Sequence, residues 1–236
     1  MTEALAAAGW QEQYLGECIV LQGDAQCLHF RAPHPLRVAS SALVGGGLGW
    51  VRHFCNFHVD KDYAGHDPEA DLHAWLAARN LMPHESVAMM TAVRLAELVV
   101  VEDRVSGISL AVAVTAGVGN AVDITAPLVG DPRPVIGTIN TLVFLDAHLT
   151  DGALINACLS VSEAKVRALT ECGVRDPHTG TSATGTSTDC LAIAATQRGS
   201  ATPYAGSATG LGRAMGRAVF EATRLALGPA GREGRA

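Results

Sequence analysis

The sequence predicts a mixed α/β fold of the α+β kind, with helices stacked on an extensive, largely antiparallel sheet. Three observations lead there. Short apolar runs bounded by Gly, Pro and Asp follow one another from residue 17 to residue 146. Two longer segments, 151–172 and 209–227, read as helices. The order strands, helix, strands, helix, strand, helix lacks the regular alternation of a parallel βαβ sheet. A chain of 236 residues fits one domain over 1–236, with its core at about 17–227. A layered αββα packing is one form such a fold takes.

The elements follow in order. Residues 17–22 and 26–31 flank Gly23-Asp24 and predict a hairpin. Leu36 to Ala39 predicts a short strand that runs into Ser40-Ser41 and then Gly45-Gly46-Gly47. Residues 50–59 read as extended. Asp67-Pro68-Glu69 predicts a helix to about Leu81, with aspartate as cap and proline in the first turn. Strands follow at about 86–92, 97–103 and 108–115. Residues 116–136 are rich in Gly, Pro and Asp and read as a long loop before a strand at 138–146. In 151–172, Leu154, Cys158, Val161, Ala168, Leu169 and Cys172 recur at three- and four-residue spacings, with Asp151 at the start and Gly173 after the end. A turn-rich stretch leads to a strand at 188–196, then to the last helix. The tail, 228–236, predicts disorder.

Composition narrows the function classes. Apolar residues make up 48% and charged residues 17%, enough for a sizeable core. The 25 glycines are not periodic, which excludes collagen. With 17 basic and 23 acidic residues the net charge is −6, which argues against binding a nucleic-acid backbone. The six cysteines include no C-x-x-C pair, a reduced pattern that predicts a cytoplasmic protein. The acidic N-terminus predicts no signal peptide. The longest uncharged stretch, Val105 to Val122, is too polar for a membrane span. The composition allows a homodimer without compelling one.

The candidate site residues lie where polar groups interrupt apolar runs. Thr184-Gly185-Thr186-Ser187-Thr188-Asp189 precedes an apolar strand and offers a nucleophile, oxyanion donors and a base; a solvated turn capped by Asp189 is the alternative. Lys61 and Lys165 are the only lysines, and Lys165 falls between Val161 and Leu169, inside a helix's apolar stripe. It must snorkel to water or pair with a carboxylate, for which Asp146 and Asp189 are candidates. Gly45-Gly46-Gly47 and Gly117 beside Thr115 and Asn120 can bring backbone N–H groups to a ligand or simply turn the chain. Thr138 and Asn140 enter a buried strand and need partners. His58, Asp60, Asp62, His66 and Asp67 lack a metal-site spacing, so no metal is expected. Nucleotide fingerprints and a G-x-S-x-G elbow are absent.

Taken in order, these motifs resemble the adenosylcobinamide amidohydrolases of corrinoid salvage. The resembling pieces are Ser40-Ser41-Ala42, Gly45-Gly46-Gly47, Asn56 with Val59, Met90-Thr91-Ala92, Thr115-Ala116-Gly117 with Gly119-Asn120, and Gly137-Thr138-Ile139-Asn140. The second half adds Leu149-Thr150-Asp151, Glu163-Ala164-Lys165, Ala183-Thr184-Gly185-Thr186 with Thr188-Asp189, Tyr204-Ala205-Gly206, and Gly212 with Gly216-Arg217-Ala218-Val219. The resemblance spans about residues 36–225. It implies hydrolysis of the amide joining the corrin ring's propionyl side chain to the aminopropanol arm. The products are adenosylcobyric acid and aminopropanol, or its phosphate. The corrinoid is then substrate, and no cofactor is expected.

The residues themselves suggest the roles. Asp189 serves as base for water or for Thr188, Lys165 polarises the carbonyl or protonates the leaving amine, and Thr186 belongs to the same loop. Ser40, Ser41, Gly45, Gly46, Gly47, Asn56, Thr91, Thr115, Gly117, Asn120, Thr138, Asn140, Thr184 and Gly185 are expected to bind substrate. Two other readings share these features: a self-processing aminopeptidase or amidase cut near Thr184 to Thr188, and a corrinoid-binding module without catalysis.

Overall fold

The computed structural model describes residues 19–127 and 137–228 in full, and 2–4 and 13–15 by their backbone. Part of the expected long loop, 128–136, and the tail from 229 lie outside the described residues, as does Cys18. Five strands come first: β1 (Thr2–Ala4), β2 (Gln13–Leu15), β3 (Ile19–Gly23), β4 (Cys27–Ser40) and β5 (Gly47–His58). Helix α1 (Pro68–Ala78) precedes β6 (Ser86–Thr91), β7 (Val99–Val105), β8 (Ile108–Ala116), β9 (Ala121–Val122), β10 (Ile139–Leu145) and β11 (His148–Leu149). Helix α2 (Asp151–Cys172), β12 (Gly185–Thr186), β13 (Cys190–Ala195), β14 (Ala201–Thr202) and α3 (Gly210–Leu227) complete the order.

Helix ends follow local chemistry. The Asp67 carboxylate accepts from Ala70 N–H at 3.0 Å, with Pro68 next in line. Helix α1 ends at Ala78, earlier than the expected Leu81, because Asn80 turns left-handed at φ 57°. Helix α2 has the expected bounds, but its cap is Thr150, whose hydroxyl accepts from Ala153 N–H at 3.1 Å. Gly173 closes it in the left-handed region.

Among the described residues ten strands form one mixed sheet, in the order β1-β7-β8-β10-β13-β4-β3-β2, with β5 and then β6 branching from β4. The expected strand at Leu36 is not separate; it is the second half of β4. Pro33 and Pro35 fall where the β4–β5 register shifts, between Arg31 and Leu36. A proline offers no N–H to a ladder, so the strand bends there and changes partner, from β3 to β13. The expected long loop also holds β9, which pairs with β12.

The bend folds the sheet over itself. Val112, Val143 and Ile193 pack beneath α2 and α3, with Leu154 and Val219. Their strand neighbours Ala113, Phe144 and Ala194 point the opposite way, onto Phe30, Phe54 and Met89. Phe54 meets Phe144 edge-on at 5.1 Å. On the far side, Leu72 and Leu76 of α1 pack on Cys55, Phe57 and Ala88. The layers are therefore helix, sheet, sheet, helix. Burying one such side chain contributes about 2 kcal/mol. The strands β10 and β13 run parallel with Asn140 opposite Cys190, so their starts, and the loops before them, meet at one end.

Candidate active site

Lys165 sits on the sheet-facing side of α2, with Val161 and Leu169 buried one turn before and after it. Its ammonium forms an ion pair with Asp189 Oδ2, and each side chain is only 18% exposed. The lysine is thus held by a carboxylate instead of reaching for water. The other candidate partner, Asp146, lies elsewhere, accepting from Thr196 Oγ1 at 2.8 Å.

Asp189 is fixed from the opposite side. Its Oδ1 accepts from Ile139 N–H at 3.1 Å and from the Thr186 hydroxyl at 2.5 Å. Thr188 is turned away: its hydroxyl donates to Gly137 O at 2.7 Å, and its own carbonyl accepts from Thr138 Oγ1 at 2.8 Å. The hydroxyl engaged with Asp189 is therefore that of Thr186. Gly185 makes room for the pair. A Cβ there would stand 2.5 Å from Asp189 Oδ2 and 2.9 Å from Lys165 Nζ.

Two cavities flank this point. The first, of about 480 Å³, is walled by α2 and the starts of β5 and β13, and includes Ser40, Ser41, Gly47, Ser162 and Lys165. The second, of about 600 Å³, lies toward α1 and β6 and includes Tyr63, Leu72, Met90, Thr91, Thr138 and Asn140. Ser41, Asp189 and Cys190 line both. Such volumes suit a ligand portion of drug size, one cavity on each side of the carboxylate.

Residues 12–233 match the family model described as adenosylcobinamide amidohydrolase. The chain belongs to the adenosylcobinamide amidohydrolase family. It is a hydrolase acting on an amide. An adenosylcobinamide amidohydrolase of Methanosarcina mazei is 28% identical over 198 residues, covering 80% of this chain and 89% of that one. An uncharacterized protein of Methanocaldococcus jannaschii is 37% identical over 97 residues, which is 41% of this chain and 38% of that relative's length. A Pyrococcus horikoshii crystal structure aligns over 96% of this chain and 82% of its own, with 10% identity and a TM-score of 0.45.

The other residues expected to bind substrate fall into distinct settings. Asn56, Thr115, Thr138 and Asn140 form one buried network. Asn140 Nδ2 donates to Asn56 Oδ1 at 2.8 Å and to Met90 O at 2.7 Å, and Asn56 Nδ2 donates to Thr115 Oγ1 at 3.0 Å. Thr91 is buried too, accepting from Val93 N–H. Gly45 has φ 78°, and a Cβ there would collide with the Ser86 carbonyl, so this turn is pressed against β6. Gly45 and Gly46 line a third hollow, of about 370 Å³, beside Trp50. Asn120 donates to Ser187 Oγ at 2.7 Å, and Thr184 donates to Val122 O at 3.2 Å. Those two, with Asn56, Thr115, Gly117 and Gly185, line neither cavity at Asp189.

Cys190 is not among the residues expected at the site from the sequence. It lines both cavities. Burial pushes its thiol up to about 11, so it stays protonated at neutral pH and is a poor nucleophile there. Ser41 Oγ accepts from Leu191 N–H at 3.0 Å and lies 3.9 Å from Cys190 Sγ. The place of Cys190 immediately after Asp189 was the available signal.

Proposed function

We propose that the protein hydrolyses the amide of adenosylcobinamide, giving adenosylcobyric acid and aminopropanol, or aminopropanol phosphate from the phosphorylated arm. The corrinoid is the substrate, and the proposed chemistry uses no cofactor. The observation that carries the reading is the half-enclosed Lys165–Asp189 pair between two cavities, in a chain of this family.

An unstrained amide needs an activated water, a site for the oxyanion and a proton for the leaving amine. Lys165 has three N–H donors, of which Asp189 takes one. Another, directed into the first cavity, polarises the amide carbonyl. A water gives its proton to Asp189 Oδ2 as its oxygen bonds to the amide carbon. The resulting oxyanion accepts from Lys165. As the carbon–nitrogen bond breaks, the proton passes from Asp189 to the nitrogen, leaving a carboxylic acid and a primary amine. Thr186 and the Ile139 N–H position Asp189 through its other oxygen.

The test is to incubate purified protein with adenosylcobinamide in ¹⁸O water and follow both products by mass. Cobyric acid carrying one heavy oxygen and an equal amount of aminopropanol are expected. Tight binding of the corrinoid with no amine release would overturn the proposal in favour of a binding module. Self-cleavage of the chain near Thr184 would point to the self-processing alternative.

A further inference from the structure

The first cavity opens onto an apolar ledge that the chemistry above does not use. Leu48 and Trp50, on one face of β5, are 44% and 53% exposed. Ile155 and Leu159, one turn apart on α2, are 53% and 58% exposed. Exposed large apolar groups gathered beside a cavity mark a binding surface more often than a lone one does. Arg37 ties the two halves together. Its guanidinium lies 5.8 Å from the centre of the Trp50 ring and holds both carboxylate oxygens of Asp151, at 2.9 and 2.8 Å. Asp151 begins α2, one turn before Ile155.

At Leu48 and Ile155 the ledge reaches the site. Leu48 and Ile155 line the same cavity as Lys165. Along that wall Ile155, Cys158, Ser162 and Lys165 follow one side of α2. Ten residues of helix separate Ile155 from Lys165, about 15 Å at the usual rise. A cavity of about 480 Å³ can take a side arm and its amide but is too small for a whole corrinoid. The rest of such a ligand must lie outside it, at the cavity's mouth.

We infer that Leu48, Trp50, Ile155 and Leu159 form the seat of the corrin macrocycle, on which the ring lies with the propionyl side chain that carries the scissile amide turned into the cavity toward Lys165 and Asp189. This rests on the proposed function and specifies how the substrate is held. The ledge supplies binding common to ground and transition states, so it sets KM more than kcat.

The test compares wild type with Trp50→Ala and Leu48→Ser, using Trp50→Phe as the conservative control. Both positions of change are exposed, so the fold is expected to hold, as thermal unfolding would verify. KM for adenosylcobinamide is expected to rise about tenfold in Trp50→Ala and Leu48→Ser, with kcat within about twofold. Cobyric acid, which has the ring but not the arm, should bind about tenfold more weakly to them, and near normally to Trp50→Phe. Its binding is read by absorbance titration and does not need turnover, so a failed amidase assay leaves the ledge testable. Unchanged KM and unchanged cobyric acid affinity would overturn the inference. So would a dimer in size-exclusion chromatography that the Trp50→Ala change splits without altering either constant, because the ledge would then be a face between two copies.

Discussion

Two polar clusters sit within a few residues of each other at the start of β10, and they differ in one respect. The Asn56–Thr115–Asn140 network is buried to within 3% exposure; Asn140 borders the second cavity, but both its amide hydrogens, and one of Asn56's, are donated to neighbouring groups. The Lys165–Asp189 pair is equally well held but opens on two cavities. Both clusters place polar side chains against apolar surroundings, and the sequence pointed to both as parts of a site. The comparison teaches that hydrogen-bonding capacity becomes chemistry only where some of it remains directed at open space. The closed network fixes β5, β8 and β10 to one another. The open pair has donors and an acceptor to offer a substrate.

The strongest way to sharpen this contrast is Lys165→Ala. It removes the proposed oxyanion donor and leaves Asp189 with its other partners. Steady-state hydrolysis of adenosylcobinamide should fall about a thousandfold in protein that stays folded, with a lower thermal midpoint because Asp189 Oδ2 loses its cation. Next comes Gly185→Ala, which forces a Cβ against both members of the pair. A loss of about a hundredfold in kcat is expected, since a displacement near an ångström is enough. Unaltered kcat in that variant would break the link between the pair's geometry and catalysis.

Asn140→Ala should act in the opposite manner. It leaves Asn56 Oδ1 and Met90 O without their donor, at a cost of about 3 kcal/mol in unfolding free energy by denaturant titration. Protein that remains folded should keep kcat within about fivefold. The smallest effect concerns a third paired cluster, His29 and His53, whose ring nitrogens lie 3.0 Å apart across β4 and β5. Burial, and then His53, lowers His29 from 6.5 to about 4, and burial also lowers His53. The unfolded chain therefore binds more protons than the native one between pH 6.5 and about 4. Stability should be full above that window and fall as pH drops through it. In His29→Gln the thermal midpoint should decline less over the same range, by about 5 °C.

Much of the frame was legible in the sequence because it depends on near neighbours. Asp67-Pro68 and Gly173 set helix ends through contacts within one turn, and Gly23-Asp24 joins strands that pair directly. Lys165 stood out because a charge within an apolar stripe requires a partner, and Asp189 was one of two named. What the sequence did not reveal depends on distant pairing. The two prolines in β4 mark its bend, but only the fold shows that its second half joins β13, which brings Ser41 beside Cys190. Thr186 and Thr188 are alike in sequence, and the turn alone decides which hydroxyl meets Asp189. Likewise, nothing in the spacing distinguishes an asparagine that binds a ligand from one that binds another asparagine.

The central claim is that the open pair performs the hydrolysis, and Asp189→Asn tests it most directly. That change keeps shape and removes the base, so kcat for adenosylcobinamide and the thermal midpoint should be measured on one preparation. The account predicts a fall in kcat of about a thousandfold or more in a protein that stays folded and still binds cobyric acid. Near-native turnover by the folded variant would contradict it.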